Sequence, residues 1–312
     1  MRWSYSASQS FRKCQRQWYF KNIVANAKAK EPFRRRAYLL SKLQTISAWR
    51  GKIVDDVISK TIVPGINRRS PIILREAKTR ARQLYDCQLA YALGHPINDP
   101  DLNVSDEGED FSLFFTMEYG SPPSNEELET AWGEIEHALT NLYAMDVVRE
   151  PLKAAEYVIA QRPLQFELMD GVTVLCYPDV IAFRKKDVPV IVDWKVHAFG
   201  ENDAWLQLAV YAIALSRTKH KDFPAEFSCN AENTLLLEAQ LLVDSVREHR
   251  LDHLQIEDAE DYMISSAYEM SCLTDGKKHG ELSADDFTPA VHAETCQTCP
   301  FRALCWEDVH VH

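Results

Sequence analysis

Two hydrophobic periods divide the chain. As far as about residue 150, apolar residues recur every three or four positions, the pattern of helices buried on one face. The first 50 residues read mostly as helix, with Ser6 and Ser8 as N-cap candidates ahead of Phe11, Trp18 and Phe20. The run Glu31-Pro32-Phe33-Arg34-Arg35-Arg36 predicts a short basic break. Further helices are predicted over about 42–62, 71–95 and 125–148, the last with Leu128, Trp132, Ile135, Leu139 and Leu142 at helical spacing. The stretches 96–110 and 120–126, rich in Pro, Asp, Asn and Ser, predict loops.

Beyond residue 150 the period falls to two. Residues 156–168, 172–184 and 188–196 predict three strands, turned at Asp170-Gly171 and at Lys185-Lys186-Asp187. A helix over about 202–217, a strand over 233–243 and a helix over about 257–273 follow, ahead of a cysteine-rich tail. This order predicts an α/β fold with a central mixed sheet flanked by helices. It divides into N-terminal helices (1–61), a helical insertion (62–150), a core (151–256) and a C-terminal helix with the cysteine-rich region (257–312). The sequence shows no internal repeat and no Gly-rich phosphate loop.

Composition narrows the function classes. With 46% hydrophobic and 26% charged residues, the chain of 312 residues is globular, not disordered or fibrous. Its net charge of −11 argues against coating long nucleic acid by bulk charge. A local basic groove, or metal ions held by clustered acids, stays compatible with nucleic acid. The sequence has neither a signal-peptide stretch nor an apolar run of the ~18 residues that cross a membrane, so a soluble cytoplasmic chain without a membrane partner is expected.

Acidic residues in apolar strands point to chemistry. Asp179 lies in the second predicted strand, and Asp193 and Lys195 end the third. Carboxylates on adjacent strands ~4.8 Å apart can share one metal ion. Asp193 and Lys195, two apart, leave one face of their strand. Charges in such surroundings are paired or hold a metal. The fitting reaction is phosphodiester hydrolysis assisted by Mg²⁺ or Mn²⁺, with the lysine orienting water and offsetting transition-state charge; the alternative is a structural ion pair. Gln207 and Tyr211 share a helix face and are available to a nucleic-acid strand. Asp55, four residues after Gly51, is a candidate third carboxylate. Arg12, Lys13, Arg16 and Arg34 to Arg36 are candidate phosphate contacts, whereas Trp18 and Trp194 read as core.

Of eight cysteines, three cluster as Cys296-x2-Cys299-x5-Cys305, a spacing that suits zinc, a redox pair or an iron–sulfur centre. Cys14, in a basic and aromatic stretch, is the candidate fourth ligand, or else a buried small residue.

Together these residues resemble the RecB-type branch of the PD-(D/E)XK nuclease superfamily, and within it the iron–sulfur CRISPR-adaptation exonucleases and AddB-type recombination nucleases. The resemblance rests on Ser6-Ala7-Ser8 before Cys14, Gly51-x3-Asp55, Asp179, Asp193-x-Lys195, Gln207-x3-Tyr211 and the three C-terminal cysteines, in that order. It implies a restriction-endonuclease-like core in which Asp55, Asp179, Asp193 and the Val196 carbonyl hold Mg²⁺ or Mn²⁺ and Lys195 is catalytic. It implies DNA contacts from Gln207 and Tyr211. It also implies a 4Fe-4S cluster on Cys14, Cys296, Cys299 and Cys305 that ties the chain ends together. Asp55 stands where the family usually has histidine. The implied activity is a single-stranded DNA exonuclease of repair, CRISPR adaptation or phage defence, with a helicase or other nucleic-acid-processing partner. The alternatives are a structure-specific or double-strand endonuclease, a non-catalytic iron–sulfur DNA-binding subunit of a larger complex, and a zinc protein.

Overall fold

Two prolines decide where the predicted strands stop, because proline cannot donate to a sheet ladder. The computed structural model describes residues 1–99, 102–185, 187–196, 204–221, 223, 224, 227, 229–274, 276, 277 and 279–310, with the backbone alone at 307–310. In it the expected strand 156–168 divides at Gln161-Arg162-Pro163, and the expected strand 172–184 divides at Tyr177-Pro178-Asp179. The predicted meander is therefore a ribbon that passes from one sheet into another. Pro100, Asp101, Lys186 and residues 202 and 203 of the expected helix lie outside the described residues.

The chain opens with a short strand, β1 (Arg2–Trp3), then helices α1 (Tyr5–Lys13) and α2 (Gln15–Tyr19), the latter continued by a π-helical turn over Phe20–Val24. Ser4 caps α1, its Oγ accepting the Ala7 N–H at 3.1 Å. The expected cap Ser8 is instead buried, 2.9 Å from the Tyr262 hydroxyl. The expected break at 31–36 is the start of α3 (Pro32–Leu40), where proline fits because the first helical turn needs no N–H donor. Next come β2 (Leu43–Gln44) and α4 (Ile46–Val57), which runs through a π-helical turn into α5 (Val63–Asn67). Helix α6 (Leu74–Leu93), β3 (Leu113–Phe114), α7 (Phe115–Tyr119), α8 (Asn125–Ala144) and α9 (Asp146–Ala154) follow. Ser124 and Glu127 form a capping box at the start of α8.

The ribbon supplies β4 (Tyr157–Ala160), β5 (Leu164–Met169), β6 (Val172–Cys176) and β7 (Val180–Phe183). Then come β8 (Val190–Lys195), α10 (Trp205–Arg217), β9 (Leu235–Gln240) and β10 (Ser245–His249). The chain closes with α11 (His253–Thr274), α12 (Ala293–Gln297) and α13 (Arg302–His310). The Asp170-Gly171 turn does join an antiparallel pair, β5 and β6, with Gly171 at φ +70°.

The main sheet has the order β10-β9-β8-β7-β4; β8 and β9 are parallel, and the other pairs antiparallel. A second sheet has the order β1-β6-β5, and β2 pairs with β3 alone. Apolar residues fill both faces of the main sheet, as expected of strands covered on both sides. Ile181, Ile191 and Leu236 face a core shared with the N-terminal helices, the second sheet, α10 and α11. Val180, Val192, Trp194 and Leu237 face a core shared with α4, α6 and α8. The helices of residues 62–150 thus close one face of the sheet.

The two ends of the chain pack against each other. The Gln15 N–H donates to the Thr288 carbonyl at 3.1 Å, and the Thr288 N–H donates back to Gln15 Oε1 at 2.9 Å. Tyr19 stacks on Phe287 with centroids 4.6 Å apart, and Phe20 stacks on the fully buried Phe301 at 5.8 Å. Phe301→Ala is therefore expected to cost about 3–5 kcal/mol, read by urea unfolding.

Candidate active site and cysteine cluster

The ribbon's two proline corners meet. Ala160 pairs with Val180, so Gln161 and Asp179 leave the ladder side by side, and the Gln161 N–H donates to the Asp179 carbonyl at 3.0 Å. Asp179 lies at this break, not inside a strand as expected. Because Val180 pairs with Val192, one further step along the same register sets Asp179 opposite Asp193. The Trp194 N–H donates to Asp179 Oδ2 at 2.9 Å.

Asp193 is buried on β8, with Lys195 Nζ 2.5 Å from its Oδ2. The Lys195 ammonium is thus the close partner of Asp193 Oδ2. Helix α10 covers this face. Gln207 Nε2 donates to Asp193 Oδ1 at 3.3 Å and to the Tyr211 hydroxyl at 2.6 Å, while Gln207 Oε1 accepts from Lys195 at 3.2 Å. Asp55 arrives from α4, and Gln161 Nε2 reaches both Asp55 Oδ1 at 2.9 Å and Asp179 Oδ1 at 3.0 Å. The fold thus joins Asp55, Asp179, Asp193, Lys195, Gln207 and Tyr211 in one network.

Burial is the main cause of unusual protonation here. It pushes the Asp179 carboxyl well above its ordinary range, and the nearby Asp193 and Asp55 push it further. Burial also raises Asp193, opposed by Lys195, and raises Asp55, opposed by the Gln161 hydrogen bond. Tyr211 is raised chiefly by burial.

A donor set made of the carboxylate oxygens of Asp55, Asp179 and Asp193 suits a hard divalent cation. Among the described residues, no three His, Cys, Asp or Glu side chains stand together as a preformed metal cage. The Val196 carbonyl accepts a hydrogen bond from Arg50 Nη2, on α4. A strand residue's N–H and C=O leave by the same edge, so the Trp194 carbonyl faces the side where its N–H meets Asp179.

Other candidates have structural partners. Asp56 is buried between Lys52 and Lys60, at 2.6 and 2.7 Å. Arg16 binds the Phe287 carbonyl and Asp285, and Arg34 binds the Val24 carbonyl. Arg35 binds the Ala27 and Leu102 carbonyls, and Arg36 pairs with Glu118. Arg12 lies over the Tyr262 ring, 4.7 Å from its centroid. Trp18 and Trp194 are buried.

Sequence reasoning missed Gln161, Arg50 and Glu238. Gln161 carried no signal beyond its place just before Pro163. Glu238 stood out as an acid in an apolar strand; it pairs in register with Asp193 and is buried near Arg247 and His249.

Cys14, Cys296, Cys299 and Cys305 line one small cavity between the chain ends, with Arg16 and Arg302 at its wall. Cys14 Sγ accepts the Gln17 N–H at 3.4 Å. Burial, with the other three thiols around it, pushes Cys299 up to about 12.

The family model of the PD-(D/E)XK nuclease superfamily matches residues 2–306. The chain belongs to that superfamily. No curated protein gives a significant match. Membership implies metal-dependent nuclease activity, usually with Mg²⁺ or Mn²⁺, and the α/β architecture with its mixed sheet is consistent with a restriction-endonuclease-like fold. Among the described residues, no helix of this superfamily member is long and apolar enough to cross a membrane.

In metal-free protein the raised Asp179 carboxyl gives a signed prediction. Between the ordinary value of 3.8 and its raised native value, the native state holds the extra proton. Stability therefore falls as pH rises through that window. Asp179→Ala removes this loss. In EDTA, the melting temperature of the variant relative to wild type is expected to climb from pH 4 towards neutrality and to level off above the native pKa.

Proposed function

We propose that the chain is a DNA exonuclease acting on single-stranded ends. The observation that carries the reading is the single network joining Asp179, Asp193 and Lys195 to Gln207 and Tyr211. Asp55, Asp179 and Asp193 would hold Mg²⁺ or Mn²⁺, with the Trp194 carbonyl in place of Val196 as the backbone donor. The bound ion would supply an activated water and neutralise charge on the phosphate. Lys195 offsets the charge that develops on the scissile phosphate and orients the attacking water. Gln207 keeps that ammonium in place through its Oε1 and braces Asp193 through its Nε2. The Tyr211 hydroxyl accepts from Gln207 and holds the amide in this orientation.

Substrate preference follows from charge. Arg16 and Arg34 to Arg36 are committed to protein partners, and the net charge is −11. A chain so provided is suited to gripping a few nucleotides of a strand end, and less to holding a long duplex. Duplex unwinding falls to a helicase partner, in repair, CRISPR adaptation or phage defence.

The same proposal places a 4Fe-4S cluster on Cys14, Cys296, Cys299 and Cys305. Its support is the shared cavity of the four thiols and their soft ligand chemistry.

End-labelled single strands, duplexes and closed circles, offered with Mn²⁺, Mg²⁺ or EDTA, test the activity. Linear single strands are expected to disappear only with metal. Lys195→Ala is expected to lower the rate by about 10²–10⁴-fold, and Asp193→Ala to abolish it. Cutting of circles would make the enzyme an endonuclease. Anaerobically purified protein is expected to be brown, absorbing near ~400 nm, and Cys14→Ser or Cys305→Ser to bleach it; a colourless protein with bound zinc would overturn the cluster.

A further inference from the structure

Gln161 is held in a strained conformation beside two carboxylates. Its φ is +51°, in the left-handed region that residues other than glycine, asparagine and aspartate seldom enter. Such outliers persist where the surroundings hold them, and they cluster at functional sites. Here the backbone N–H is tied to the Asp179 carbonyl at 3.0 Å. The side-chain amide spans Asp55 Oδ1 at 2.9 Å and Asp179 Oδ1 at 3.0 Å. A primary amide has two N–H donors, one for each carboxylate. The residue thus joins α4 to the start of β7, which are far apart in sequence.

We infer that Gln161 is a positioning residue for the metal site, setting the spacing and orientation of Asp55 and Asp179 before a divalent cation arrives. This rests on the reading of those two carboxylates as metal ligands. A neutral donor pair suits the task. It offsets the mutual repulsion of two partly buried carboxylates without adding a charge that would compete with the cation. Each carboxylate oxygen it touches keeps a second lone pair for the metal. Groups that hydrogen-bond to metal ligands in this way typically contribute 10–100-fold in metal affinity.

The backbone strain supplies a clean test. Glycine suits φ +51° better than glutamine does, so Gln161→Gly removes the amide while relaxing the chain. Gln161→Met keeps the side chain's length and removes both donors. Mn²⁺ binding to the full chain is measured by isothermal titration calorimetry after removal of metal with EDTA, beside melting temperature and the Mn²⁺ dependence of DNA cleavage. Both variants are expected to bind Mn²⁺ about 10–100-fold more weakly. The glycine variant is expected to melt no lower than wild type without metal, and cleavage by both to recover at high Mn²⁺. A corner with a merely structural role would leave the Mn²⁺ affinity unmoved. Wild-type affinity in both variants, with binding abolished by Asp179→Ala, would overturn the inference and leave the carboxylate site standing. No Mn²⁺ binding by wild type, or binding unaffected by Asp179→Ala, would remove the carboxylate reading itself and the inference with it.

Discussion

Like charges held together out of water constrain the rest of this protein. Burial raises the carboxyls of Asp55, Asp179 and Asp193, and Asp193 and Asp55 raise that of Asp179 further. A buried carboxylate without compensation would take up a proton or open the structure. Each one here has a donor: the Trp194 N–H of β8 for Asp179, Gln207 of α10 and Lys195 of β8 for Asp193, and Gln161 for both Asp55 and Asp179. The compensation is incomplete, as the raised carboxyls show. At the proposed metal site such incomplete compensation would favour a cation, at a cost in metal-free stability.

The surrounding architecture keeps that arrangement in place. Both faces of β8 are sealed, one by α10 and one by the layer of α4, α6 and α8. Arg50 fastens α4 to the end of β8 through the Val196 carbonyl and also pairs with Glu134 on α8. The helix that brings Asp55 is therefore anchored next to the strand that brings Asp193. Stacked aromatics and the two hydrogen bonds between Gln15 and Thr288 join the chain ends and gather four cysteines around one cavity.

Much of this was legible because local rules apply locally. The helices around Leu128 to Leu142 and over Trp205–Arg217, and the turn at Asp170-Gly171, follow from spacing and turn chemistry within a few residues. Asp193 and Lys195 announced themselves as charges in an apolar strand. Misreadings arose where a distant partner set the outcome. Ser8 looks like a cap, yet it is buried against Tyr262, and the basic run at Arg34 to Arg36 looks like a phosphate patch, yet its guanidinium groups are spent on carbonyls and Glu118. Two predicted long strands ignored Pro163 and Pro178, whose missing donors divide the ribbon between sheets.

The sequence by itself determined the alternation of helices and strands, the acids and lysine that carry the proposed chemistry, and the cysteine spacing, since these depend on residue type and short intervals. Only the tertiary structure decided that Gln161 would bridge Asp55 and Asp179, that the Val196 carbonyl would turn to Arg50, and that Glu238 would lie beside Asp193. Those outcomes depend on the register of strands and on the approach of a helix more than 100 residues away in the chain. No short window of sequence contains that information.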